Sequence, residues 1–169
     1  FLTLYYLGNK IVAKADSLNF SKPVAIGLMI SIGIGLHNFG EGLAIGAAVG
    51  IGSIAFSTFL IVGFALHNTT EGIAIAAPMS RGKLMLGKLA IMGMIAGTPA
   101  IFGAWIGGFA YSPFTSVIFL AIGAGAIFQV ILVLMKWIQK ENDGNLSTLS
   151  VVSGFAIGML VMYLTSILV

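Results

Sequence analysis

The chain has no cysteine, only four prolines and two histidines among 169 residues, and charged side chains at only 8% of positions. Without cysteine there can be no disulfide, no thiolate metal site and no cysteine nucleophile. Soluble domains carry about 25% charged residues, so a chain this poor in charge cannot build a water-compatible surface. What is present is apolar: 59% of residues are hydrophobic and mean hydropathy is +1.09. That is the composition of an integral membrane protein. The chain opens on Phe1 with no charged segment leading to a cleavage site. It is read as carrying no signal peptide and as lacking its natural N-terminus.

Five stretches reach the roughly 20 apolar residues a bilayer requires: residues 24–50, 54–79, 84–110, 114–137 and 146–169. The expected fold class is all-α, a polytopic transmembrane helix bundle with five complete spans, forming a single transmembrane domain over 1–169. Residues 1–23 are apolar to Leu7 and then bear Lys10, Lys14, Asp16 and Lys22. They read as the end of a preceding helix plus a loop. Thr98-Pro99 falls inside the third span, where proline removes a backbone hydrogen bond and invites a kink. Asn142-Asp143-Gly144 is a turn signal.

All eight basic residues fall in or beside alternate connections: Lys10, Lys14 and Lys22, then Arg81, Lys83 and Lys88, then Lys136 and Lys140. The linkers 51–53 and 111–113 contain none. Lys and Arg accumulate on the cytoplasmic side, so loops 10–22, 80–88 and 136–145 are expected inside and the C-terminus outside, with the cell (plasma) membrane as the expected location. The same residues explain the net charge of +3, and no nucleic-acid partner is expected.

Of thirteen charged side chains, eleven lie in loops or at span ends. The exceptions are Glu41 and Glu71, and they belong to one decapeptide written twice. Leu36-His37-Asn38-Phe39-Gly40-Glu41-Gly42-Leu43-Ala44-Ile45 returns 30 positions later as Leu66-His67-Asn68-Thr69-Thr70-Glu71-Gly72-Ile73-Ala74-Ile75, with seven of ten residues identical. In each copy the His and Glu are four apart and share one helix face. A charged side chain at mid-bilayer costs about 2.5–3.5 kcal/mol on insertion scales, so two lone carboxylates are hard to tolerate there. A hairpin turn centred near Ile54 sets His37 level with Glu71 and Glu41 level with His67, and four ligand-type groups then converge at mid-membrane depth.

Two imidazoles and two carboxylates suit a divalent first-row cation such as Zn²⁺, Fe²⁺ or Mn²⁺, and a dication lets both carboxylates stay ionised in apolar surroundings. The alternative is that the His and Glu form hydrogen-bonded or protonated pairs that serve helix packing alone. Asn38 and Asn68 are either further ligands or interhelical hydrogen bonders. Gly40, Gly42 and Gly72 loosen both helices, freeing carbonyls tolerated at this depth only beside a cavity or buried in protein. Glycines spaced by four, at Gly42, Gly46 and Gly50, Gly103 and Gly107, and Gly154 and Gly158, read as helix-packing faces. Gln129 is an interhelical hydrogen bonder or lines a path. Trp105, Trp137, Tyr6, Tyr111 and Tyr163 anchor at interfaces or pack, and the eight Met are too scattered to form a soft-metal site.

At its two motifs the chain resembles the ZIP (Zrt/Irt-like) family of divalent metal transporters. His37-Asn38-Phe39-Gly40-Glu41-Gly42 and His67-Asn68-Thr69-Thr70-Glu71-Gly72 look like the motifs of that family's fourth and fifth transmembrane helices. The spans and orientation fit its helices 4 to 8, with the N-terminal helices missing. The resemblance implies a transport site at His37, Glu41, His67 and Glu71, with Asn38 and Asn68 in the adjoining second site of binuclear members. It also implies a homodimer and a rocking or elevator-like movement of the helices that carry metal. The chain departs from the family pattern at Gly40, where the motif usually has proline, and near Thr98, where many relatives supply a Glu. The second departure bears on whether one ion binds or two. Acidic residues late in the next helix and a His-rich cytoplasmic loop are also missing.

The expected function is transport of a divalent transition metal toward the cytoplasm, with Zn²⁺ placed before Fe²⁺ or Mn²⁺. The metal is cargo rather than a prosthetic group, the lipid bilayer and a second copy of the chain are the partners, and no enzymatic activity is expected. Three rivals stand beside this reading. One is a metal or proton channel using the same residues. Another is an intramembrane metalloenzyme, for which His-x-x-x-Glu lacks the internal Glu of His-Glu-x-x-His. The third is a purely structural bundle.

Overall fold

The computed structural model describes residues 2–14, 21–80, 86–110 and 112–168. Among these residues six helices follow one another: α1 Leu2–Ala13, α2 Lys22–Gly50, α3 Ile54–Ala76, α4 Leu86–Phe109, α5 Pro113–Glu141 and α6 Leu149–Leu168, with a 3₁₀ turn at Ala77–Met79 closing α3. No strand occurs among the described residues, and the fold is an all-α helical bundle. Segments Lys22–Gly50, Ile54–Met79, Leu86–Phe109 and Val117–Glu141 are long and apolar enough to cross a membrane. The 20 residues of α6 cover most of the last expected span, and at 1.5 Å per residue they extend about 30 Å, the depth of a hydrocarbon core.

The helix boundaries follow local chemistry. Pro23 and Pro113 sit at the first turns of α2 and α5, where a missing N–H costs nothing. Gly52 (φ 77°) turns the chain between α2 and α3, and the expected turn at Asn142-Asp143-Gly144 places Asp143 (φ 50°) and Gly144 (φ 86°) in left-handed backbone. One expectation is corrected. The span expected at 114–137 continues to Glu141, so Lys136 and Lys140 lie in the last turns of a helix and the connection shrinks to 142–148. Lys136-Trp137-Ile138-Gln139-Lys140-Glu141 contains no helix breaker, and Lys, Gln and Glu are good helix formers. Lys10 likewise lies on a helix, with its ammonium over the Tyr6 ring, while Lys136 Nζ donates to the Tyr5 hydroxyl at 2.6 Å and ties α5 to α1. Asp16, Arg81, Lys83 and Tyr111 lie outside the described residues.

Helix α2 is the centre. Helices α1, α3, α4 and α5 pack against it, whereas α6 meets the bundle chiefly through α3. The closest crossing is with α4 and is made by glycine from both sides. A Cβ on Gly42 or Gly46 would collide with the carbonyl oxygens of Ala100 and Ala104, and one on Gly103 or Gly107 with those of Phe39 and Leu43. Backbones in contact gain the dispersion that lipid cannot supply by hydrophobic drive. Those pairings rise together along both helices, so α2 and α4 run parallel, while α3 and α5 run antiparallel to α2. Gly35 rests on the Ile95 carbonyl and on Pro99. Proline at position 99 deprives that same carbonyl of its helical donor. The buried apolar core of Val24, Ile30, Ile34, Ile75, Met79, Met92, Ala96 and Val130 occupies the half of the bundle nearer Ser80 and the 142–148 turn.

Candidate metal centre

The repeated decapeptide occupies residues 36–45 in the second half of α2 and residues 66–75 at the C-terminal end of α3. Its residues face each other because the short 51–53 turn makes the two helices an antiparallel pair. Glu41 is the focus, only 7% exposed. His67 Nε2 approaches its Oε1 at 2.6 Å and His37 Nε2 approaches the same oxygen at 3.4 Å, while Asn68 Nδ2 donates to Oε2 at 3.3 Å. The two imidazole rings stand 6.3 Å apart and inclined by 35°. Ligand atoms of His37, Glu41 and His67 all lie within 4.8 Å of one another.

Three of the six sequence-identified residues thus form one cluster, and Asn68 braces it. The level pairing expected of Glu41 with His67 is present. The matching pair of His37 with Glu71 is absent from the ion pairs and hydrogen bonds of the described residues, because His37 turns to Glu41 one turn along its own helix. Partners four apart on one helix are always in reach, whereas an interhelical pair depends on axis separation. Glu71 remains near enough to interact with Glu41, His37, His67 and the Asn38 amide. Asn38 is 3% exposed and donates Nδ2 to the Ala96 carbonyl of α4 at 3.1 Å, so both asparagines do bond between helices.

Acceptors outnumber donors in this layer. Asn38 Oδ1, Asn68 Oδ1, Glu71 Oε2 and Glu41 Oε1 are buried without a well-directed hydrogen bond, Glu41 Oε1 despite its two imidazole contacts. A buried polar atom left without a partner costs about 1–3 kcal/mol, and a group of oxygens beside two imidazole nitrogens has the chemistry of a cation site. Geometry agrees with a small ion at one edge and not yet at the other. Two donors about 2.1 Å from a tetrahedral ion are about 3.4 Å apart, which matches His37 and Glu41. The 2.6 Å separation of His67 from Glu41 is that of a direct contact, so His67 must withdraw by roughly 0.8 Å to share an ion.

The cluster borders a cavity of about 340 Å³ lined by Gly40, Ala44, Phe64, Leu120, Gly123 and Ala124 together with His37, Glu41 and His67. Phe64 sets its ring edge-on to His67, with centroids 5.6 Å apart. Sequence reading missed this wall. Phe64 precedes His67 by three residues and so shares its face, and the small-residue run Gly123 to Ala126 signals close helix approach. A Cβ on Gly123 would lie 3.5 Å from His37 Cα. Thr98 is exposed and belongs neither to the cluster nor to the cavity lining. Gln129, 2% exposed, is packed where Gly8 of α1 and Gly33 of α2 leave room for it, one turn before His37 along α2. Comparison of the chain with models of protein families, with curated proteins and with solved structures finds no match in any of the three.

Proposed function

We propose that the chain carries a divalent first-row transition metal ion across the membrane, and that His37, Glu41 and His67 bind it at mid-depth, with Glu71 and the amide oxygens of Asn38 and Asn68 completing its surroundings. The observation that supports this best is the surplus of buried acceptor oxygens around two imidazoles, in helices otherwise almost wholly apolar. Two imidazoles and a carboxylate suit Zn²⁺, and the general affinity order places Zn²⁺ above Fe²⁺ and Mn²⁺. On this reading the doubled His-Asn-x-x-Glu-Gly motif makes the chain a member of the ZIP family. Its cargo then moves toward the face bearing the basic residues, in the plasma membrane, with a second copy of the chain as partner.

A carrier is favoured over a channel by the packed core beyond the site, where Ile34, Ile75, Met92 and Val130 are each at most 4% exposed. The test is Zn²⁺ uptake by the purified chain in liposomes holding a zinc-sensitive dye. Uptake that saturates, and that falls at least tenfold in both Glu41→Ala and His67→Ala while membrane insertion is retained, is the expected result. Undiminished uptake in both variants would remove the site assignment, and Ohmic Zn²⁺ currents would turn the carrier into a channel.

A further inference from the structure

The cluster offers one donor atom from each of three side chains. Asn68 holds Glu41 Oε2, so Oε1 alone turns to the imidazoles, and His37 and His67 each present a single Nε2 to it. Glu71, the other carboxylate of the doubled motif, stands outside this group. All three donors belong to α2 and α3, and the cavity lies beside them at their own depth, on the side of α5. A Cβ on Gly123 would lie 3.5 Å from His37 Cα, and one on Gly40 would lie 3.8 Å from the Leu120 side chain. The Glu41 side chain is 6% exposed, whereas those of His37 and His67 are 28% and 17% exposed, so the imidazoles form the open edge of the cluster.

We infer that a cation held by His37, Glu41 and His67 keeps one coordination position turned toward α5, taken by water and available to a small anion, and that Gly123 and Ala124 keep that position clear. The inference rests on the reading of the cluster as a metal site and adds its fourth ligand. Zinc sites with four protein ligands are closed and structural, whereas sites with three keep a position for water or substrate. The cavity wall supplies no rival for it, since Gly40, Ala44, Phe64, Leu120, Gly123 and Ala124 carry no donor atom in their side chains. A volume of about 340 Å³ holds several waters, one water occupying roughly 30 Å³ of liquid. Such a position suits an ion that is cargo. Ligands exchange there one at a time, so the ion is taken up and released without all three protein donors letting go together.

Co²⁺ is the probe, because its visible absorption reports the ligands around it, and azide is a small anion that replaces a metal-bound water. The purified full-length chain is loaded with Co²⁺ and titrated with azide, beside Gly123→Ala and Ala124→Leu. A Cβ at position 123 meets only ordinary contacts and Ala124 is exposed, so neither change disturbs the packing of α5, and retained Co²⁺ shows that each variant is folded. The expected result is a saturable azide shift of the bound Co²⁺ spectrum in the parent chain. In Ala124→Leu the same shift should need at least about tenfold more azide, since the longer side chain fills the anion's place, and Gly123→Ala should weaken it less. Loss of Co²⁺ from one variant leaves the other to decide. Bound Co²⁺ that ignores azide in the parent overturns the open position while leaving the metal site standing, with a protein group such as Glu71 as the fourth ligand. An azide response of equal strength in the parent and both variants overturns the place given to α5. Failure of the parent to bind Co²⁺ overturns the metal reading and the open position with it.

Discussion

Glu41 shows how much one side chain organises at the residue scale: both imidazoles meet one of its oxygens, and an amide holds the other. Asn68 is a positioning residue, since it fixes the carboxylate's orientation from the neighbouring helix. Groups that hold a ligand in this way typically change metal affinity by 10–100-fold when removed. Asn68→Ala is therefore expected to weaken Zn²⁺ binding by about that factor in calorimetry, whereas Gln129→Leu, outside the cluster and its cavity, should leave it within about twofold. Equal losses in the two variants would mean that affinity follows general packing rather than the site. The residues of the cluster were legible because a His and a Glu four apart need only a helix to share a face. The convergence of both rings on one oxygen was not legible, because it depends on rotamers and on the distance between α2 and α3. Phe64 and the α5 wall escaped for another reason: apolar and small residues carry no chemical signal until the chain that faces them is known.

Among the elements, glycine spacing marks where a helix can be approached but not what approaches it. Gly42, Gly46, Gly103 and Gly107 meet backbone, whereas Gly72, Gly154 and Gly158, one of them in the same motif as Gly42, have nothing within 4 Å. The contrast yields a paired prediction. Gly42→Ala puts a methyl group against a backbone carbonyl that no rotamer change can move, and overpacking of this kind costs about 1–3 kcal/mol. Gly72→Ala meets open space and gains up to about 1 kcal/mol of helix propensity. Thermal unfolding in detergent should accordingly rank Gly72→Ala at or above the parent chain and Gly42→Ala below it, and the reverse order would contradict the α2–α4 crossing. Helix existence was legible from hydropathy alone. The end of α5 was not, because Lys136 and Lys140 signal a membrane boundary, and a membrane boundary is not a helix terminus.

The molecule as a whole is held unevenly, and the candidate metal site sits on the weaker seam. Sequence order makes α2 and α3 neighbours through a short turn, but nothing in it announces that α2 also runs parallel to α4 in backbone contact. That crossing locks α4. Helix α3, which like α4 buries only four residues, is tied to α2 instead by polar bonds from His67 and Asn68 to Glu41. An ion shared by His37, Glu41 and His67 would therefore join the least anchored helix of the site to the central one. A ligand that binds only the folded state at 100 times its dissociation constant stabilises it by about 2.7 kcal/mol. Saturating Zn²⁺ should raise the unfolding temperature accordingly and slow amide exchange along α3 much more than along α4, whose backbone already rests on that of α2. Because ligand imidazoles bind metal only when unprotonated, both effects should shrink on acidification, and both should vanish in Glu41→Ala. Protection that fell on α4 instead, or persisted in Glu41→Ala, would show that Zn²⁺ binds elsewhere and that the Glu41–His67 seam is a packing contact.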